Sequence, residues 1–238
     1  WILHGVAAER PATTSAAIFE SAGLSVLASP LERPVETAAE AEQLALAHHA
    51  ILCAALGEGP VIPARFGQGF IDQATLVEAV EADAVRWRTL MQRLGDTGEF
   101  LLRAMPAGVD AADVRSGYLR AQRARRDAER ARLERASAAI GAAIDGLSPY
   151  LRSHLAPRPA RERGGVATGV LLERRGWARA MGEVARRVTQ DCTLRLEGPW
   201  PAYSFADLPA QGGSAPPDRT TPCPAPDLSR KREPEKTP

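Results

Sequence analysis

Apolar residues recur along this chain in two rhythms, and their alternation lays out the elements. Short apolar runs bounded by Gly and Pro at 1–6 (Trp1, Ile2, Leu3, Val6) and 24–28 predict two partly buried strands. Between them, 11–21 reads as loop or one helical turn. Residues 36–56 place Leu44, Ala47, Ile51, Leu52 and Ala55 at helical spacing, and Gly57 and Gly59 stop that helix. A third strand follows at 61–64; Pro63 lacks an N–H and must lie at an edge or unpaired position. Residues 75–94 predict an amphipathic helix with Leu76, Val80, Trp87, Leu90 and Leu94 on one side. Residues 99–105 predict another strand, ended by Pro106-Ala107-Gly108.

A long helix then runs from about 116 to 146, roughly 45 Å at 1.5 Å per residue. Its first half is dense in arginine and glutamate, with only alanines (Ala121, Ala124, Ala128, Ala131) along one stripe, and should project or pack loosely. Its second half gains Leu133, Ile140, Ile144 and Leu147 and should pack on a core. After the segment 150–155 and a Pro/Arg/Gly-rich turn at 157–165 come a strand at 166–172, a helix at 177–188 and a strand at 192–196. That last strand finishes in what reads as a rigid aromatic turn, 197–205. Counted from 99–105, the order is strand, helix, strand, strand, helix, strand, the ferredoxin-like βαββαβ order.

The expected fold class is therefore α+β with two domains. Residues 1–107 form an N-terminal mixed α+β domain, and 108–207 a modified ferredoxin-like C-terminal domain with a long charged helix; the strand at 98–105 fits either sheet. Residues 208–238 are rich in Pro, Gly, Ser and charge with few apolar groups, and are expected to be disordered. No repeat of 20–50 residues suggests a solenoid.

Composition narrows the function classes. The chain has 238 residues, 45% of them hydrophobic, and its 30 basic and 29 acidic residues leave a net charge of +1. Such a balance supplies no field to favour nucleic acid or an anionic membrane. Lysine appears only at Lys231 and Lys236. Cys53, Cys192 and Cys223 lack C-x-x-C spacing, so neither a disulfide framework nor a zinc site is indicated, and a reducing cytoplasm fits. No apolar run reaches the ~20 residues of a membrane-spanning helix, and no signal-peptide pattern opens the chain; a soluble, intracellular protein is expected. Trp1 rather than Met stands first, which leaves room for residues before it.

Candidate chemistry is sparse. His48-His49 is the one place where imidazoles adjoin in sequence, but helical neighbours diverge, and metal binding needs i, i+4 spacing or further ligands; the pair reads as packing or solvent-facing. Arg65-Phe66-Gly67-Gln68-Gly69-Phe70 follows a strand but lacks the full spacing of a nucleotide-binding loop. It reads as a turn in which Gly67 and Gly69 give positive φ or close approach and Phe66 and Phe70 anchor. Arg65 beside two aromatics also suits a partner contact. In the arginine-rich helix, Arg123 with Asp127, Arg125 with Glu129, and Arg130 with Glu134 compensate much of the charge, which disfavours phosphate binding. Cys53 reads as a small buried hydrophobe. No nucleophile, acid–base pair, metal set or cofactor motif assembles. In the closing run, Trp200, Tyr203 and Phe205 either fold back to seal the sheet or present an adhesive surface.

Two stretches carry a family likeness. Val61-Ile62-Pro63-Ala64-Arg65-Phe66-Gly67-Gln68-Gly69-Phe70 and Gly198-Pro199-Trp200-Pro201-Ala202-Tyr203-Ser204-Phe205 closely resemble the V-L-P-L-R-F-G-T-V-F and G-P-W-P-P-Y-S-F runs of the GvpL/GvpF family of gas vesicle proteins. The likeness extends in order through His4-Gly5-Val6, Ala47-His48-His49 and Ser116-Gly117-Tyr118-Leu119. Departures are Ala64 for Leu, Gln68-Gly69 for Thr-Val, Ala202 for Pro, and no asparagine within 166–172; they leave GvpL and GvpF undivided. The resemblance implies a two-domain α+β protein with a ferredoxin-like C-terminal half. It also implies a non-enzymatic accessory or minor shell component of gas vesicles, without cofactor or metal, whose partners are the small hydrophobic shell protein and other accessory proteins. Candidate partner-binding residues are Arg65, Phe66, Phe70, Trp200, Tyr203 and Phe205. The competing class is a small-ligand-binding regulatory or enzymatic domain on a ferredoxin-like scaffold.

Overall fold

The computed structural model describes residues 1–107, 118–160, 165–187 and 192–206, with the side chains of Tyr118 and Leu119 excepted. Strands β1 (Ile2–Ala7), β2 (Ala17–Ser21) and β3 (Leu24–Ser29) precede helix α1 (Ala38–Glu58), and β4 (Val61–Pro63) precedes α2 (Gln73–Ala82) and α3 (Ala84–Leu94). Then come β5 (Thr97–Pro106), α4 (Tyr118–Leu147), β6 (Leu151–His154), β7 (Arg158–Pro159), β8 (Val166–Glu173), α5 (Trp177–Arg186), β9 (Cys192–Trp200) and α6 (Tyr203–Ala206).

The first sheet has the order β2-β3-β1-β4, so Pro63 sits on an edge strand, as its missing N–H requires. Strand alternation separates the two faces. Leu3, Val6, Val26, Ala28 and Ile62 pack with Leu76, Val80, Trp87, Leu90 and Leu94 of α2 and α3. Ala7, Leu27 and Val61 pack with Ile51, Leu52, Ala55 and Leu56 of α1. The second sheet pairs β6-β8-β5-β9 antiparallel, with β7 alongside β8. Thus β5, which the sequence left open to either sheet, lies in the second. Phe100, Leu102, Val170 and Leu172 of this sheet pack on Ala136, Ile140, Ala143 and Leu147 of α4 and on Ala180 and Val184 of α5. Leu171, Ala202 and Phe205 join the α2/α3 cluster of the first sheet, so one apolar core crosses between the halves. This mixed α+β arrangement matches the expected class.

Several expectations are corrected. Residues 11–21 are not simply loop or a helical turn, because they contain β2, which pairs with β3 through a two-residue turn at Ala22 (φ 53°) and Gly23 (φ 75°). Two positive-φ positions match a hairpin turn, but Ala22 lacks the Asn, Asp or Gly signal that announces one. The single helix expected at 75–94 is two, broken at Asp83 (φ −96°, ψ 11°), although all the named apolar positions are buried. Asp72 caps the first by accepting a hydrogen bond from the Thr75 amide at 2.8 Å. Within the turn expected at 157–165, Arg158 and Pro159 pair with Ala167 and Val166.

The last strand does not end at Leu196 in a turn. It continues to Trp200, which pairs with Glu99, and a register break opposite Phe100 admits Gly198-Pro199 without a ladder N–H from proline. After Pro201-Ala202 the described residues close with the single turn α6. Among the described residues of α4, positions 122–130 are exposed on every side and Ala136, Ile140, Ala143 and Leu147 are buried, the division foreseen. Of the three anticipated charge pairs, Arg130–Glu134 closes at 2.9 Å and the other two do not. The expected helix start at 116, the end of the helix at 188 and the tail at 208–238 lie outside the described residues.

Candidate functional site

Helix α1 places histidines on both sides of its buried stripe. Its start is fixed by a capping box, with Thr37 accepting from the Glu40 amide and the Glu40 carboxylate accepting from the Thr37 amide. About three turns beyond, His48 points into the first sheet and meets His4, the two Nδ1 atoms 3.1 Å apart. His4 is the extra residue at a register break of β1 between Leu3 and Gly5, where a bulge re-aims the side chain. Its Nε2 lies 2.9 Å from the Ser29 hydroxyl. Burial, then the neighbouring His48, pulls the His4 pKa down to about 4; burial, then His49, lowers that of His48. Both rings are neutral near pH 7. Gly5 makes this crowding possible, because a Cβ there would collide with the Ile62 carbonyl oxygen of β4.

The second histidine faces the closing segment. His49 Nδ1 lies 3.2 Å from the Tyr203 hydroxyl, and its Nε2 lies 3.4 Å from Cys53 Sγ. Cys53 is only part-buried, which modifies its expected place as a core hydrophobe. Burial nevertheless pushes the thiol pKa up, so the imidazole contact does not produce a thiolate. Burial likewise raises the Tyr203 phenol, with Cys53 and Glu99 adding to the shift.

Helix α6 is held at both ends. The Ser204 amide donates to the Glu99 carboxylate at 2.9 Å, and Arg93 donates to the Phe205 carbonyl at 2.7 Å. The acid lies at the helix start and the base at its end, the sense favoured by the exposed peptide groups there. Burial raises the Glu99 pKa, and the hydrogen bonds from Ser204 oppose the rise.

Between α1, the end of β4 and α6 lies a cleft of about 360 Å³ lined by Ala45, His48, His49, Pro63, Ala64, Arg65, Phe66, Tyr203 and Ala206. Phe66 stands edge-on to His48 at 5.5 Å between ring centroids, and Tyr203 stacks obliquely on His49 at 5.9 Å. The candidate contact residues therefore divide. Arg65, Phe66 and Tyr203 converge here. Phe70 is tied to Trp1, its carbonyl accepting from the Trp1 backbone nitrogen at 2.7 Å and its amide donating to the Trp1 carbonyl at 2.8 Å. Phe205 is buried in the shared core, and Trp200 remains part-exposed in β9, outside the cleft lining. In the loop, Gly67 takes the positive φ expected of it (88°), whereas Gly69 does not.

The part played by His4 went unread, since a strand histidine 44 positions before its partner leaves no spacing signal. No group of three or more His, Cys, Asp or Glu suited to a metal occurs among the described residues, and none of their helices is long and apolar enough to cross a membrane.

Comparison with known proteins agrees with this fold. Residues 9–207 match the family model described as gas vesicle synthesis protein GvpL/GvpF. The crystal structure of the gas vesicle protein GvpF from Anabaena sp. PCC7120 superposes with a TM-score of 0.64 at 14% identity, covering 90% of this chain and 98% of that one. GvpF from Microcystis aeruginosa gives 0.64 at 13% identity, covering 87% and 98%. No curated protein gives a significant sequence match.

Proposed function

Because this chain belongs to the GvpL/GvpF family of gas vesicle synthesis proteins, we propose that it is an accessory or minor structural protein. In this role it binds the hydrophobic shell protein and other accessory proteins during gas vesicle assembly, supporting buoyancy, and resides with the vesicle in the cytoplasm. The observation that supports a binding role is the convergence of Arg65, Phe66 and Tyr203, from segments nearly 140 residues apart, on one cleft. Aromatic and arginine side chains around a concave site are the composition that protein contacts favour. Contact there would cover apolar surface of an unassembled shell subunit that otherwise promotes aggregation.

The C-terminal half is read as a ferredoxin-like domain because β5, α4, β6, β8, α5 and β9 follow the βαββαβ order and build an antiparallel sheet β6-β8-β5-β9. In this reading the N-terminal sheet with α1 to α3 is a separate domain joined through the core at Leu171, Ala202 and Phe205.

Gene deletion followed by electron microscopy and fractionation of intact vesicles tests the role. Missing or misshapen vesicles are expected, and normal vesicles in normal number would sink it. A small-ligand regulatory domain is the second reading, favoured by a cleft volume within the range of ligand sites, roughly 300–1,000 Å³. Tight binding of a metabolite by the purified protein would favour that reading.

A further inference from the structure

The cleft contains a polar atom that the fold leaves unused. His48 is 3% exposed, its Nδ1 is committed to His4, and its buried Nε2 has no hydrogen-bond partner among the described residues. A buried polar nitrogen without a partner destabilises the fold, so a group that supplies one relieves that cost on binding. Arg65, on the same cleft, is exposed and forms no ion pair or hydrogen bond among the described residues. The rest of the lining is mostly alanine, proline and aromatic rings.

Proton placement along the imidazole chain decides what this nitrogen offers. In one arrangement the Ser29 hydroxyl donates to His4 Nε2, His4 Nδ1–H donates to His48 Nδ1, and His48 Nε2–H is left as a donor without a partner among the described residues. In the reverse arrangement His48 Nδ1–H donates to His4, and Nε2 offers a lone pair. Both are neutral, and both satisfy the distances of 3.1 and 2.9 Å. A ligand therefore selects the arrangement it needs. The guanidinium of Arg65 favours an anion and disfavours a cationic donor, which selects Nε2–H.

We propose that this cleft binds a carboxylate carried beside an apolar side chain, with His48 Nε2–H and the Arg65 guanidinium as donors and Phe66 and Tyr203 as walls. The carboxylate arrives either on a partner polypeptide or as a small free acid. The polypeptide source rests on the reading of this cleft as a partner contact. His4 and Ser29 act as positioning residues that hold the proton on His48 Nε2.

The test is a titration of the full chain, with imidazole side chains observed by ¹⁵N–¹H NMR, using N-acetyl-leucine, the peptide acetyl-Leu-Glu-Leu-amide and, lacking a carboxylate, N-acetyl-leucinamide. The carboxylate probes are expected to shift the His48 Nε2 resonance saturably into the N–H form, and the amide is not. Tighter binding of the peptide assigns the carboxylate to a partner chain; tighter binding of N-acetyl-leucine assigns it to a small acid. Arg65→Gln, an exposed change, should weaken the bound probe about tenfold, and Arg65→Lys should restore part of the loss. Equal binding of amide and acid, no response of His48 to any probe, or unchanged affinity in Arg65→Gln would overturn the proposal. Shell-protein capture measured alongside separates the two readings. Capture without carboxylate binding leaves the assembly role standing and removes this inference, while carboxylate binding without capture does the reverse.

Discussion

At the scale of single residues, the imidazole pair makes stability depend on pH in a defined direction. His4 folds with its pKa lowered from 6.5 to about 4, so below pH 6.5 the unfolded chain takes up a proton that the folded chain refuses. Stability is full above that pH and falls as pH drops toward 4. The span, at about 1.4 kcal/mol per pH unit, corresponds to at most about 3.5 kcal/mol, and His48 acts in the same sense. Glu99, whose pKa is raised, opposes: its contribution is present at low pH and is lost as pH rises through its elevated pKa. Urea unfolding midpoints should be level above pH 7 and decline between 6.5 and 4, with a shallower decline in His4→Gln. A midpoint unchanged across that window in the parent protein would contradict the buried pair. Gly5 supplies a second test, because any Cβ meets the Ile62 backbone. Gly5→Ala should cost about 1–3 kcal/mol in the same assay. The sequence exposed His48-His49 as a pair but hid this site, because adjacency along a helix sends the two rings to different partners, one on a bulged strand and one near the far end of the chain.

Among the elements, those with strong periodicity could be read directly. The strands expected at 61–64, 99–105, 166–172 and 192–196 and the helical spacing of 36–56 each reappear in place. What escaped was local backbone chemistry. The β2–β3 turn uses Ala22 at positive φ, Asp83 divides a continuous apolar stripe, and Gly198-Pro199 continues a strand where those residues ordinarily end one. In the last case a register break opposite Phe100 removes the demand for a proline N–H. Helix α4 was legible as two halves, and its exposed half invites a deletion. Removing 120–130, about three turns and so nearly in phase, leaves Ile140, Ala143 and Leu147 on their sheet. Thermal unfolding should shift by less than about 4 °C, corresponding to under roughly 1 kcal/mol at this size. A larger loss would show that these turns pack on something. If shell-protein capture disappears while stability holds, the projecting helix is itself the contact.

For the whole molecule, the fold brings a loop after β4, a histidine pair on α1 and a closing helical turn to one cleft, and all three carried a family mark in the sequence, the loop and the closing run most fully. Glu99 and Arg93 fix α6 against the rest, so the cleft wall depends on both halves. Glu99→Ala should therefore loosen α6, seen as faster amide exchange at Ser204, with an overall loss of only about 1 kcal/mol because the freed amide is exposed to water. The family supplies the gas vesicle context and the cleft is the surface proposed for the shell protein, so binding between the two is what to measure. Equilibrium binding of purified shell protein should be compared between the parent chain and the double variant Arg65→Ala, Phe66→Ala, whose positions are exposed and leave the cores untouched. The account predicts measurable binding by the parent and at least about tenfold weaker binding by the variant, with unfolding midpoints unchanged. Binding of equal strength by both, or by neither, would contradict it.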